Sequence, residues 1–132
     1  MKPRLVIVGG GFAGQQACKA LRDSGERILL IDPNPAATML PALPDLAGGW
    51  VPERLIQRPF NEMLPANVDH LQAAVSSVDL DAGTVQADGQ SIAYEQLLIA
   101  AGSTPNFYGS PFPREKMHPL GTLDDAWRIR RE

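Results

Sequence analysis

The stretch VIVGGGFAG, residues 6–14, decides the fold expected of this chain. With the leucine before it, it starts as a short apolar run bounded by glycine, which is typical of a strand buried on both faces of a parallel sheet. After the glycines, small and apolar residues recur at steps of three and four from Ala13 to Leu21, which predicts a helix. A second apolar run, residues 27–31, ends on Asp32. The predicted unit is β-α-β within about thirty residues.

The glycines of this stretch have the spacing Gly9-x-Gly11-x-x-Gly14, and Asp32 comes 23 residues after the first of them. Gly9 permits a tight turn, Gly11 lets the backbone approach a pyrophosphate, and Gly14 lets the helix lie close to the strand. The anion would meet free N–H groups at the positive end of the helix dipole. Asp32 could accept hydrogen bonds from both hydroxyls of an adenosine ribose and would repel a 2′-phosphate. We therefore predict a dinucleotide-binding turn, and the alternative is a purely structural glycine turn.

Length and composition predict one domain with one core. The chain has 132 residues, of which 44% are hydrophobic and 20% charged, as in ordinary globular proteins. A net charge of −3 gives no electrostatic footprint for nucleic acid or an anionic membrane surface, so we expect a small-molecule partner. A single cysteine, Cys18, allows no internal disulfide and no structural zinc site. Because no signal peptide or apolar run of about 18 residues is found, we expect a cytoplasmic protein without a membrane span in this segment.

Residues 33–65 hold seven prolines, a density that excludes one long helix across the segment. Apolar residues between Pro52 and Pro65 recur at roughly helical spacing, so we expect a short helix there and loop elsewhere. The segment is too apolar for disorder, since it includes Met39 and Leu40. Because long loops in compact domains are usually functional, we expect either a cover over a flat aromatic ring or a lid that packs only on its own sheet.

Residues 68–94 alternate between strand-like runs and turns. Val68 to Leu80, residues 84–87 and residues 91–94 are separated by Asp-x-Gly and Asp-Gly signals, which predict a three-stranded antiparallel meander. Another buried strand follows at residues 96–100. The fold class is therefore α/β, with a Rossmann-like parallel sheet, an inserted β-meander and a single domain.

The remaining candidates have structural explanations. Thr122 and Asp125 have the spacing of a capping box, so residues 122–132 should form a helix whose terminal arginines favour its dipole. His70 and His118 are far apart in sequence and show no flanking pattern of carboxylates or thiols, so we expect no metal site.

Nearly the whole chain resembles the first FAD-binding segment of the pyridine nucleotide-disulfide oxidoreductase superfamily. Within it, the chain looks most like the type II NADH dehydrogenases and their sulfide:quinone reductase relatives. Residues 6–14 with Asp32 carry part of the resemblance. MLPALPDLAGG at residues 39–49 is similar to the family's FTPLLPEVATG, and YEQLLIAAGS at residues 94–103 is similar to its YDYLVIATGS. The last stretch is the most specific for the superfamily.

Carried over position by position, the resemblance implies a set of FAD contacts and no catalytic residue. The implied cofactor-binding residues are Gly9, Gly11, Phe12, Ala13 and Gly14 at the pyrophosphate, Asp32 with the adjacent Pro33 at the adenosine ribose, Met39, Leu40 and Pro41 toward the isoalloxazine, Val75 at the adenine, and Ala101 and Gly102 at the turn beside the cofactor. The chain departs from the family where Ala101 replaces a threonine, and where Met39 and Leu40 replace phenylalanine and threonine.

The resemblance also implies a reaction. NADH or NADPH on a second domain gives hydride to the flavin, which passes electrons to a quinone or another acceptor. Family members are several times longer, and a later segment completes their FAD site. We therefore expect a truncated domain in which the helix at residues 122–132 leads to absent C-terminal domains. Such a domain would hold FAD weakly or not at all, would be inactive alone, and could be peripheral at the inner membrane face through the absent parts.

Cysteine usage separates the subfamilies. Residues 33–65 contain no thiol, so disulfide reductase chemistry is excluded for this half, whereas sulfide oxidation stays open. Cys18 has a place on the first helix that predicts a packed, inert thiol. A second class also stays open, a stand-alone module that binds NAD or an adenine nucleotide without catalysis. An ordinary dehydrogenase ranks third, because no Ser-Tyr-Lys or His-Asp arrangement is found. The sequence leaves the electron acceptor, NADH against NADPH, and the oligomeric state open.

Overall fold

The computed structural model describes Pro3 and residues 5–132. Its strands are β1 (Leu5–Val8), β2 (Ile28–Asp32), β3 (Ala36–Thr38), β4 (Gln57–Pro59), β5 (Val68–Gln72), β6 (Val75–Asp79), β7 (Thr84–Ala87), β8 (Gln90–Ala93) and β9 (Gln96–Ile99). Its α-helices are α1 (Phe12–Ala20), α2 (Leu43–Ala47), α3 (Phe60–Met63) and α4 (Leu123–Arg131). Two compact units result, the first from the described part of Met1–Ala37 with Pro59–Gly102, the second from Thr38–Arg58 with Ser103–Glu132.

The first unit is built on a parallel sheet of four strands in the order β5-β2-β1-β9. In its register Val6 of β1 lies beside Leu29 of β2 on one side and Leu97 of β9 on the other. Helix α1 connects β1 to the parallel strand β2, so the predicted β-α-β unit and Rossmann-like sheet are confirmed.

Both faces of this sheet are covered, which explains why its inner strands read as continuous apolar runs. On one face Ile7 and Leu30 pack with Cys18 of α1 and with Phe60. On the opposite face other sheet residues, among them Val6, pack against the meander. Alternate residues of each strand therefore supply two cores, and each fully buried aliphatic side chain contributes about 1.5–3 kcal/mol.

The antiparallel meander is present, but it is shorter than predicted. Its three strands are β6, β7 and β8. The predicted first strand, from Val68 to Leu80, is in fact two strands, because β5 pairs in parallel with β2 and the chain then turns into β6. Both strands look alike in sequence, and only their pairing partners distinguish them. The meander thus begins at Val75, and residues 68–72 belong to the main sheet.

The prediction for residues 33–65 was right in one respect and wrong in another. A short helix, α3, does lie between Pro52 and Pro65, where it follows a 3₁₀ turn and strand β4. The expected loop before it contains β3 and α2. Pro44 lies in the first turn of α2, where a missing N–H costs nothing, so this proline is compatible with the short helix that begins there. Strands β3 and β4 pair as a two-stranded sheet. Along the chain, the boundaries between the two units fall within these two strands.

The second unit has a hydrophobic cluster of its own. Leu43 and Leu46 of α2 are buried with Ile56 and with Ala126 of α4. Two apolar residues of the predicted loop, Leu43 and Leu46, therefore form a buried helix face, and α2 packs on α4. The indole N–H of Trp127 donates to a Glu53 carboxylate oxygen at 2.7 Å.

Helix α4 begins with the predicted capping box. The Asp125 N–H donates to the Thr122 hydroxyl oxygen at 3.1 Å, and the Thr122 N–H donates to the Asp125 carboxylate at 3.0 Å. Burial on its own raises the pKa of Asp125, but hydrogen bonds from Thr122 and Gly121 and the charge of Arg128 outweigh it and lower the pKa below 3.8. In the part of the chain that the structure describes, no helix combines the length and apolar character needed to cross a membrane.

Candidate dinucleotide-binding site

The glycine-rich turn lies at the corner between β1 and α1. The Gly9 N–H donates to the carbonyl oxygen of Ile31 in β2 at 2.9 Å, which anchors the turn to the neighbouring strand. The side-chain amide of Gln15 donates to the Gly10 carbonyl oxygen at 2.8 Å, which fixes the turn to the helix. Hydrogen bonds from a strand and a helix therefore hold the backbone in place on both sides.

Two of the three fingerprint glycines are required by the packing of the protein itself. Gly9 has φ +104°, and a Cβ atom there would collide with the carbonyl oxygen of Ala100. A Cβ atom on Gly14 would collide with the carbonyl oxygen of Gly9 and would lie 3.5 Å from Ile7 Cγ2. These residues let β1, β9 and α1 approach each other, so a structural explanation suffices for both.

Gly11 differs from them, because no packing contact among the described residues requires a glycine there. Its φ is −70°, which any residue adopts, and a Cβ atom on it would meet no heavy atom of the described residues within 4 Å. Gly11 is exposed at the N-terminus of α1, whose described first turn has neither a side-chain cap nor an acidic residue. An uncapped helix start with a bare backbone is chemically suited to an anion.

Asp32, the last residue of β2, points its carboxylate at this turn. The Gly10 N–H donates to Asp32 Oδ2 at 2.6 Å. The other oxygen, Oδ1, accepts from the backbone N–H of Asn34 at 2.8 Å and from its side-chain amide at 3.0 Å. The predicted acid is thus joined directly to the predicted phosphate turn by a charge-assisted hydrogen bond.

Sequence analysis missed Phe60, whose ring packs against the glycine turn at Gly10. Its buried ring occupies the space that a Cβ atom on Gly10 would need, and that atom would also lie 3.2 Å from Asp32 Oδ2. The ring packs on His70 with 4.6 Å between the ring centroids. The signal in the sequence was the glycine at position 10, where the fingerprint allows any residue, but nothing pointed to its partner 50 positions away.

Comparison with known proteins identifies the family. The family model described as pyridine nucleotide-disulphide oxidoreductase matches residues 3–132. The chain belongs to this family. It is 29% identical over 143 residues to an external alternative NAD(P)H-ubiquinone oxidoreductase of Arabidopsis thaliana, a match that covers 98% of this chain and 25% of that protein. It is 31% identical over 133 residues to a type II NADH:quinone oxidoreductase of Mycobacterium tuberculosis, covering 96% of this chain and 28% of the other.

A solved structure is similar over nearly the same range. The sulfide:quinone oxidoreductase of Aquifex aeolicus matches with a TM-score of 0.89 and 31% identity, covering 98% of this chain and 31% of that chain. The resemblance to type II NADH dehydrogenases and sulfide:quinone reductases is therefore confirmed. The chain spans about a quarter to a third of the length of these relatives, which are oxidoreductases by name.

The other residues expected to bind a cofactor fall into two groups. In the first unit, Val75 begins β6 and is half-buried, and Ala101 and Gly102 are exposed just beyond β9, with Gly102 at φ +75°. Met39, Leu40 and the adjacent proline belong to the second unit and are exposed. The contacts that the family resemblance implies for these residues stay predictions.

The cysteine and the histidines, for which we expected no chemical role, lie outside the glycine turn. Cys18 is buried in the core under the sheet, and burial raises the pKa of its thiol to about 11, an effect that a backbone hydrogen bond partly offsets. His118 lies 3.3 Å from a carboxylate oxygen of Glu132. In the described ranges, Pro3 and 5–132, no three or more His, Cys, Asp or Glu side chains are grouped to hold a metal ion.

Proposed function

We propose that this chain is the FAD-binding part of an NAD(P)H-dependent flavoprotein oxidoreductase. The observation that supports the proposal is the hydrogen bond between the Gly10 N–H and Asp32 Oδ2, 2.6 Å long. It brings the end of the second strand to the start of the first helix, so one small surface offers both a site for a diphosphate and an acceptor for a ribose. Family membership and the oxidoreductase names of the relatives favour the same reading.

The residues present fit the adenosine diphosphate half of FAD. The N–H groups at the start of α1 would hold the pyrophosphate, and Gly11 would let it come close to the backbone, since a side chain there would project into open space. Asp32 would hold the adenosine ribose. When bound, the flavin supplies the hydride and electron transfer chemistry between NAD(P)H and a quinone or another acceptor.

This chain's own contribution is binding and orientation. The partial positive charge at the N-terminus of α1 attracts the diphosphate. A negative charge near such a helix end is typically stabilised by about 0.3–1 kcal/mol. The Asp32 carboxylate repels a further anion at the ribose, so a nucleotide with free ribose hydroxyls is favoured over one with a 2′-phosphate. Gln15 keeps the Gly10 carbonyl oxygen occupied at 2.8 Å, so that this acceptor does not repel the phosphates.

A titration of the purified chain tests the proposal. Amide NMR spectra detect weak binding in a 14.3 kDa chain, and FAD, ADP, NAD and FMN are added in separate experiments. We expect FAD and ADP to shift the amide signals of the glycine turn and of Asp32, and FMN, which lacks the adenosine half, to leave them in place. NAD shifting these signals while FAD does not would favour a stand-alone NAD module over the proposed function.

Two matched variants locate the binding. Asp32→Asn removes the negative charge and replaces one of the two acceptor oxygens by a donor NH₂ group, and it should weaken ADP binding by about tenfold, the equivalent of 1.4 kcal/mol. Asp69→Asn makes the same change in charge on β5, where the carboxylate pairs instead with Arg27 at 2.7 Å, and should alter the affinity less than twofold. Equal losses in the two variants would mean that net charge, and not a site at Asp32, governs the affinity.

A further inference from the structure

We propose that Asn34 is a positioning residue that limits Asp32 to a single ribose hydroxyl. The inference rests on the proposed function, because it concerns how the same carboxylate recognises a nucleotide. It departs from the expectation drawn from the sequence, in which Asp32 accepts hydrogen bonds from both hydroxyls of the ribose.

The hydrogen bonds of the carboxylate carry the inference. Asn34 donates twice to Asp32 Oδ1, from its backbone N–H at 2.8 Å and from its side-chain Nδ2 at 3.0 Å. Gly10 donates once to Oδ2, at 2.6 Å. Each carboxylate oxygen accepts about two hydrogen bonds. Oδ1 is therefore saturated by the protein, and Oδ2 retains one acceptor position.

The chain around Asn34 is restrained, so this arrangement is not easily given up. Prolines on both sides fix the backbone, and the residue before each proline is restricted to extended conformations. The carbonyl oxygen of Pro35 accepts from the Phe60 N–H at 3.1 Å, and that of Pro33 accepts from the Gln72 side-chain amide at 3.3 Å. Asn34 is thus tied to α3 on one side and to β5 on the other.

The consequence is a specific pattern of recognition. Three donors hold the carboxylate in one orientation, and three charge-assisted hydrogen bonds make its rotation costly. One hydroxyl of the ribose then donates to Oδ2, and the other hydroxyl finds no free acceptor position on Asp32. Asn34 decides the pattern without touching the reacting half of the cofactor.

Deoxy analogues of ADP test the inference. Affinities of the full chain for ADP, 2′-deoxy-ADP and 3′-deoxy-ADP are measured by amide NMR titration. We expect one analogue to bind within twofold of ADP and the other at least fivefold more weakly. Equal losses for the two analogues in the unaltered chain would overturn the inference while leaving the proposed function intact. No binding of ADP at all would overturn both, so the two failures are distinguishable.

Variants of Asn34 test its role directly. Asn34→Ala frees one acceptor position on Oδ1, so both deoxy analogues should become at least threefold weaker than ADP. Asn34→Leu keeps the size of the side chain but cannot donate, and it should change the pattern as the alanine variant does. Asn61→Ala, an exposed amide deletion on α3, is the control and should keep the original pattern. An unchanged pattern in both Asn34 variants would refute a positioning role.

Discussion

Substitution of Gly11 by alanine should change ligand binding without changing the fold, because no described residue occupies the space that the new methyl group would take. A methyl group there meets no heavy atom of the described residues within 4 Å, and φ −70° is an ordinary value for alanine. Two small terms act on stability. Restriction of the unfolded chain stabilises by about 0.4–1 kcal/mol, and loss of a preferred residue at the helix N-cap costs about 0.5–1 kcal/mol. We expect them to cancel to within about 1 kcal/mol.

The effect of the same methyl group on binding should be far larger. It would stand about 1.5 Å out from the backbone, in the space through which a diphosphate reaches the first N–H groups of α1. We expect Gly11→Ala to weaken the binding of ADP and FAD by at least tenfold, which is 1.4 kcal/mol. Urea unfolding followed by circular dichroism gives the free energy of unfolding, and amide NMR titration gives the affinity.

Gly14→Ala is the matched control within the same motif. Its methyl group would collide with the Gly9 carbonyl oxygen and press on Ile7, so α1 must move away from β1. Overpacking of this kind costs about 1–3 kcal/mol of stability. If Gly11→Ala lost stability as Gly14→Ala does, or kept the affinity of the unaltered chain, the assignment of Gly11 to a ligand would be refuted.

Three further perturbations test the packing around the site. Burial raises the pKa of the Cys18 thiol from 9.0 to about 11, so the folded protein favours the neutral thiol. The neutral thiol therefore contributes its full stabilisation below pH 9.0, and this stabilisation is lost as the pH rises through about 11. Urea unfolding at pH 8.5 and 10.5 should show a decline of at most about 1.4 kcal/mol per pH unit, and Cys18→Ala should remove it. Thr122→Ala should cost about 1 kcal/mol and speed hydrogen exchange in α4 only. Phe60→Ala should cost about 3–5 kcal/mol, and in a double-mutant cycle it should relieve the collision created by Gly10→Ala, with a coupling energy of about 0.5–3 kcal/mol.

The β-α-β corner could be predicted because each of its signals is local. The apolar run of β1, the periodicity of α1 and the spacing of the glycines act within about thirty residues, and all three require the same backbone. Asp32 was predictable for the same reason, since it ends the second apolar run. The structure adds the partner of its carboxylate, the Gly10 N–H, which lies in the turn that the same local signals located.

Apart from the short helix between Pro52 and Pro65, the structure of residues 33–65 could not be predicted, because it depends on partners far along the chain. Strand β4 is three residues long, and its residues adopt an extended conformation because β3 lies alongside. The apolar side chains of α2 become a helix face because α4, some 80 residues later, supplies Ala126 to the same core. Short elements have weak propensities, so tertiary pairing overrides them.

If the glycine turn served the fold alone, packing would account for three of its four glycines. Packing explains Gly9 and Gly14 through collisions with backbone oxygens, and it explains Gly10 through the ring of Phe60. A turn that served the fold alone would therefore need glycine at these three positions and would tolerate a side chain at Gly11. Apart from a modest preference for glycine at a helix N-cap, packing among the described residues gives no reason for the fourth glycine, whereas a ligand would. The choice between a structural turn and a phosphate-binding turn thus depends on that one position, and so does the choice of variant that tests it.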